Sequence, residues 1–285
     1  MKDIDVRGAG EVRLAVRVHD APSDGARGLL LLHGLASSQR IWDLMLPRLT
    51  RSFHVVTYDA RGHGRSAKPA SGYGFDTVIA DALAVLHATR LRRALMVGHS
   101  WGASVALELA ARHPRSLRGT VLVDGGLGAL RDAMDWATVK DVLAPPRLAG
   151  MPVEEFRRSI PTFLGEEVEV TPQIEDIALS LMRVDRRGRI RPHLSRANHF
   201  RILRAIWLRH PDEALARLSV PTLAVLARGG GDADGEAHKR GFAERARRSG
   251  APIRVSWLEG IHDLPLQHPA ALAGRIERFS EGLVR

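Results

Sequence analysis

The segment Ala94-Leu95-Met96-Val97-Gly98-His99-Ser100-Trp101-Gly102 constrains this chain more than any other. Its apolar start reads as a buried strand, and Ala103 to Arg112 carries apolar positions at helical spacing. Between the two stands the pattern G-x-S-x-G. A strand that turns at once into a helix leaves no room for a Cβ on either side of the central serine, so glycines must stand there. The turn lifts the Ser100 hydroxyl above the carboxyl edge of a sheet and aims a helix N-terminus at the same spot. Such placement suits a nucleophile, and it commits the surrounding chain to a parallel sheet with helices packed on it.

The remaining sequence keeps that rhythm. Apolar runs at Gly28–Leu32, Phe53–Tyr58, Leu117–Val123, Thr222–Leu226 and Ile253–Leu258 read as strands. Helical stretches lie at Arg40–Arg51, Asp76–Thr89, Glu236–Arg248 and about Pro269–Leu283, with Asp76 read as an N-cap. Glu11–Val18 alternates and reads as an edge hairpin strand. From about Leu127 to Leu218 there are helical segments and prolines (Pro145, Pro146, Pro152, Pro161, Pro172 and Pro192 among them) but no convincing strand. This stretch reads as a helical insertion over the carboxyl edge of the sheet. The expected division is therefore a core of residues 1–126 and 219–285 with a helical cap at 127–218.

Composition removes several classes. At 285 residues and 45% hydrophobic content, one large core suffices. Without cysteine there is neither a disulfide framework nor a thiolate metal site. The start, Met1 to Asp5, is polar and lacks the apolar region of a signal peptide, and no apolar run matches a membrane span. A cytoplasmic protein without a membrane partner is expected. The net charge of +10 raises the question of nucleic acid. Yet only Lys2, Lys68, Lys140 and Lys239 among 42 basic residues are lysines, and the arginines are scattered over every predicted helix. With no nucleic-acid motif beside them they read as solvated helix faces, and no nucleic-acid partner is expected.

A serine hydroxyl needs a base to remove its proton as it attacks. Gly260-Ile261-His262-Asp263 supplies His262 in the loop between the last strand and the last helix, and this position selects it among 13 histidines. The charge that develops on a carbonyl oxygen needs preorganised N–H donors. Leu32-His33-Gly34-Leu35 follows an inner strand, and the main-chain N–H groups of Leu35 and Trp101 are the expected donors. Trp101 is also read as a wall of an acyl pocket, and His33 as a structural hydrogen-bonder.

These residues resemble the alpha/beta-hydrolase superfamily. The resemblance spans nearly the whole chain, through His33-Gly34, Tyr58-Asp59-Ala60-Arg61-Gly62-His63-Gly64-Arg65-Ser66, the serine turn and Gly260-Ile261-His262. It implies an α/β fold with a mostly parallel sheet, a cap, and a triad in the order serine, acid, histidine. The segment Tyr58–Ser66 is implied to position loops and not to react. The acid has two candidates. Many relatives place it after the strand here at Thr222–Leu226, where Asp232 stands within Ala227-Arg228-Gly229-Gly230-Gly231-Asp232. Others, like the haloalkane dehalogenases and zearalenone lactonases, take it from the preceding strand end, where Asp124 stands. A carboxylate at a buried strand end orients an imidazole better than one in a triple-glycine loop, so Asp124 is the first choice and Asp232 the alternative.

Serine in place of an aspartate nucleophile argues against dehalogenase and epoxide hydrolase chemistry. The expectation is hydrolysis of a small-molecule carboxylic ester or lactone through an acyl-enzyme, with no cofactor and no metal. Met134, Trp136, Phe156, Phe163, Trp207 and His199 are the candidates for the substrate pocket. Arg204 gripping a carboxylate would serve a different enzyme, a carbon–carbon bond hydrolase of ring-cleavage products. A hydroxynitrile lyase or perhydrolase would share the triad, and a receptor would bind a ligand without turnover. The sequence carries no reading of oligomeric state.

Overall fold

A strand buried on both faces has no polar side to show, which is why the apolar runs of this chain become strands of a central sheet. The computed structural model describes the chain apart from residues 21, 24, 166, 230–232 and 284–285 and the side chains of residues 233 and 234. The strands are β1 (Lys2–Arg7), β2 (Arg13–Val18), β3 (Arg27–Leu32), β4 (Phe53–Tyr58), β5 (Ala94–His99), β6 (Leu117–Val123), β7 (Met182–Val184), β8 (Ile190–Pro192), β9 (Thr222–Gly229) and β10 (Ile253–Gly260). Eight of them form one sheet in the order β1-β2-β4-β3-β5-β6-β9-β10. The pairs β1–β2 and β2–β4 are antiparallel, and from β4 onward every pair is parallel.

The helices are α1 (Leu46–Leu49), α2 (Phe75–Ala88), α3 (Trp101–Arg112), α4 (Leu130–Ala133), α5 (Trp136–Val142), α6 (Val153–Leu164), α7 (Pro172–Leu179), α8 (Arg196–Leu208), α9 (Pro211–Arg217), α10 (Ala233–Arg248), α11 (Leu264–Gln267) and α12 (Pro269–Gly282). Alternating side chains of the central strands feed two cores. Leu30, Leu32, Met96 and Leu122 meet α2 and α3 on one face, whereas Leu29, Leu31, Leu95 and Val97 meet Trp42, Phe53 and α12 on the other. Between β6 and β9 a smaller cluster of Leu148, Phe156, Ile160 and Ile190 holds the helices and the β7–β8 hairpin together.

Four local expectations are corrected. The sheet edge is β1 and not the Glu11–Val18 strand, because Lys2–Arg7 adds a charged outer strand in which Asp3 pairs across with Arg17. Arg40–Arg51 is not one helix but a 3₁₀ turn at Gln39–Trp42 followed by α1. Pro47 lacks the N–H that a continuous helix would direct at Asp43, and the chain breaks there. The N-cap of α2 is Gly74, with Asp76 inside the first turn and paired with Arg112. The stretch 127–218 does contain strands, the β7–β8 hairpin, each too short for an alternating pattern to show. Among the described residues no helix is long and apolar enough to cross a membrane.

Candidate active site

Ser100 stands between β5 and α3 with φ 54° and ψ −117°. A non-glycine residue held there stores about 1–3 kcal/mol of backbone strain, which the surroundings must over-determine. They do. The Ser100 N–H donates to the Val123 carbonyl at 2.9 Å, tying the end of β5 to the end of β6. A Cβ on Gly98 would lie 2.1 Å from the Gly102 carbonyl oxygen, and one on Gly102 would lie 2.4 Å from that of Leu32. Both glycines are therefore demanded by the close passage of backbone on either side of the turn.

The neighbouring strand end carries Asp124, also at positive φ (42°), with its N–H on the Val225 carbonyl at 2.8 Å. Its side chain is only 2% exposed. Oδ1 accepts the Ala227 N–H at 2.9 Å, while Oδ2 accepts His262 Nδ1–H at 2.7 Å and the Lys239 ammonium at 3.0 Å. Burial works hardest on this carboxyl and pushes its pKa up, but the hydrogen bonds and charges of His262 and Lys239 prevail and leave it below the usual value. His262 mirrors it. Desolvation is the largest influence and disfavours the imidazolium, yet the Asp124 hydrogen bond and charge, with Asp263 adding, leave its pKa raised, and Lys239 opposes them. The side chain is 53% exposed and helps line a cavity. Behind it, His99 Nε2–H donates to the His262 carbonyl at 2.9 Å, and burial holds His99 neutral with a pKa of about 4. The alternative acid, Asp232, lies outside the described residues.

Ser100, His262, Asp263 and Leu35 all line one cavity of about 250 Å³. The main-chain N–H groups of Leu35 and Trp101 have no acceptor among the described residues. Two imidazoles brace the loop that presents Leu35. His33 donates from Nδ1 to the Gly34 carbonyl (2.8 Å) and accepts the Ala60 N–H at Nε2 (3.0 Å). His63 accepts the Ala36 N–H at Nε2 (3.3 Å). The segment Tyr58–Ser66 thus supports the loop from below.

A family model described as alpha/beta hydrolase fold matches residues 29–173, half of the chain, including the Ser100 turn. The chain belongs to the alpha/beta hydrolase fold family. A 2-(acetamidomethylene)succinate hydrolase of Mesorhizobium japonicum is 32% identical over 96 residues, 34% of this chain and 34% of that protein. A non-heme chloroperoxidase of Streptomyces lividans is 35% identical over 141 residues, 49% of this chain and 48% of its own length. The chain thus spans between a third and a half of the length of these curated relatives. The crystal structure of E-2-(acetamidomethylene)succinate hydrolase superposes with a TM-score of 0.80 at 21% identity, over 98% of this chain and 99% of that one, a likeness of fold.

In this member of the alpha/beta hydrolase fold family a second cavity of about 730 Å³ adjoins the first, and the two share Ala36, Ser37, Leu164, Ala178 and Leu181 in their walls. Phe156, Phe163 and His199 line it. Trp136 and Trp207 do not line either cavity. They close on the Arg204 guanidinium at 4.9 and 4.4 Å, and Trp207 Nε1–H donates to the Met134 carbonyl, so stacking keeps all three away from the cavities. The Trp101 ring also turns away, stacking on His63 at 5.4 Å within the core. Sequence reasoning passed over His99, Asp263 and Lys239. The first two flank motif residues and were within reach, whereas Lys239 gave no local signal. Among the described residues no group of three or more His, Cys, Asp or Glu side chains could hold a metal ion.

Proposed function

We propose that this hydrolase cleaves a small carboxylic ester or lactone through an acyl-enzyme on Ser100. The observation that carries the reading is the His262–Asp124 hydrogen bond of 2.7 Å beside a cavity that Ser100 shares with His262. Ser100 Oγ attacks the carbonyl carbon while its proton passes to His262 Nε2, and Asp124 holds the resulting imidazolium. The Leu35 and Trp101 N–H groups receive the oxyanion. The C–O bond breaks as His262 protonates the leaving alcohol. Water, deprotonated by the same imidazole, then attacks the acyl-enzyme, and the acid departs with Ser100 restored.

Residues 127–218 act as the cap in this reading. The apolar wall that Leu148, Phe156, Ile160, Phe163 and Met182 give the larger cavity fits an apolar acyl or alcohol group. The names of the two relatives cover a hydrolase and a peroxidase, so the ester or lactone reading rests on the site. Arg204, the arginine considered for gripping a carboxylate in the carbon–carbon alternative, is held between two tryptophans and lines neither cavity. A fluorophosphonate probe tests the proposal without knowledge of the natural substrate. A single adduct on Ser100, absent from Ser100→Ala, together with turnover in an ester and lactone panel, is the expected result. An unlabelled serine under conditions that saturate a control serine hydrolase would overturn it.

A further inference from the structure

We infer that Lys239 is a positioning residue that sets the basicity of His262 through the carboxylate they share. This rests on the acyl-enzyme reading above. The Asp124 carboxylate is fully engaged: Oδ1 with the Ala227 N–H, and Oδ2 with both His262 Nδ1 and Lys239 Nζ. Two donors on one oxygen compete, and an ammonium at 3.0 Å neutralises much of the charge that the imidazolium would otherwise enjoy. Lys239 comes from α10, a few positions after the alternative acid Asp232 in the sequence, and its side chain is 26% exposed. α10 therefore contributes a cation to the Asp124 carboxylate.

The residue type supports the inference. Lysine supplies only four of the 42 basic residues, so an arginine would be the ordinary choice on this helix. A guanidinium forks over both carboxylate oxygens and would displace the imidazole or the Ala227 N–H, whereas an ammonium is a compact charge that can share one oxygen. The charged and titratable groups facing His262 are Asp124 from the end of β6, Asp263 beside it, His99 from the end of β5, and Lys239 from α10. Asp124 and Asp263 favour the imidazolium; Lys239 counters them and keeps a larger share of His262 in the neutral, proton-accepting form near neutral pH.

The experiment is an NMR titration of His262 in ring-labelled full-length protein, assigned with His262→Gln, alongside pH profiles of kcat/KM on a 4-nitrophenyl ester. In Lys239→Met the His262 midpoint and the acid limb of the profile should both move up by roughly 0.5–1 pH unit. Lys239→Arg keeps the positive charge but forks over the carboxylate, so kcat should fall and the acid limb should not move up. If the Met variant fails to fold, Lys239→Gln removes the charge with a polar side chain and should read the same upward shift. A lysine that merely braces α10 would lower kcat or stability and leave the midpoint where it is, and that result would overturn the inference. The titration reads His262 whether or not an ester is turned over, while fluorophosphonate labelling reads Ser100. Failure of the inference is thereby distinct from failure of the esterase reading.

Discussion

Replacing Asp124 by Asn would remove the charge that steadies the His262 imidazolium while nearly preserving the size of the side chain. What then remains around the imidazole is burial and the Lys239 ammonium, both of which disfavour its charge, against Asp263 alone. The raised pKa should therefore drop below the ordinary imidazole value, and the acid limb of kcat/KM should move to lower pH. At the plateau kcat should fall by about 10³- to 10⁴-fold, since a correctly held tautomer and a stabilised imidazolium are lost together. Steady-state kinetics across pH 4–9 on an activated ester checks both signs at once. An unchanged kcat would transfer the acid's role to another carboxylate. Asp124 was legible in the sequence because rigidity at a strand end is a local property. Lys239 was not, because a lysine on an arginine-rich helix looks like a solvated face until the fold brings it to a buried carboxylate far away in the chain.

The element that must stay still is α3, whose N-terminus supplies the serine turn. Its far end is pinned by Arg209, between α8 and α9, which is 4% exposed. Arg209 Nε donates to Glu108 Oε1 and Nη2 to the Gly126 carbonyl, both at 2.8 Å, while Glu108 Oε2 takes Arg112 at 2.8 Å. Arg209→Met strips a buried carboxylate of one of its two cations and should cost about 3 kcal/mol, read as a lower urea midpoint at constant m. The double variant Glu108→Leu with Arg209→Met should cost less than the single one, because no uncompensated charge remains. A single variant as stable as the wild type would show the clamp to be dispensable. At this scale the parallel strands were legible, since Leu29–Leu32 and Leu95–Val97 are apolar throughout. β1 escaped because an edge strand can be mostly charged, and β7–β8 because three-residue strands hold too few side chains for a period. Trp136 and Trp207 escaped because nothing local tells an aromatic that lines a cavity from one that stacks on an arginine.

Across the whole molecule, buried imidazoles set how stability responds to acid. His19 at the end of β2, His99 at the end of β5 and His193 after β8 are each pushed down from the ordinary 6.5 to about 4, chiefly by desolvation. At pH 7 they are neutral in both the folded and the unfolded chain and give no pH dependence. Below 6.5 the unfolded chain takes up protons that the folded chain refuses until about 4, so stability must fall through that window. A well-buried member such as His19 should contribute on the order of 2–3 kcal/mol of this loss by pH 4. His262 works in the opposite sense and in a different window. Its raised pKa makes the stability it contributes build up as pH falls toward 6.5 and stay constant below, so it leaves the slope between 6.5 and 4 to the buried imidazoles. Carboxylates with lowered values, Asp124 among them, add their loss only below 3.8, outside the window. His19 isolates the effect because it lies outside both cavities, is 6% exposed, and has its Nε2 without a partner among the described residues. His19→Leu removes a titrating group and an unpaired polar atom together, so the variant should gain on the wild type progressively as pH drops from 6.5 to 4 in urea denaturation. Activity per folded molecule should be unchanged. Parallel curves for the two proteins would mean that His19 takes up its proton in the folded state as readily as in the unfolded one, and that its burial does not carry the penalty assigned to it.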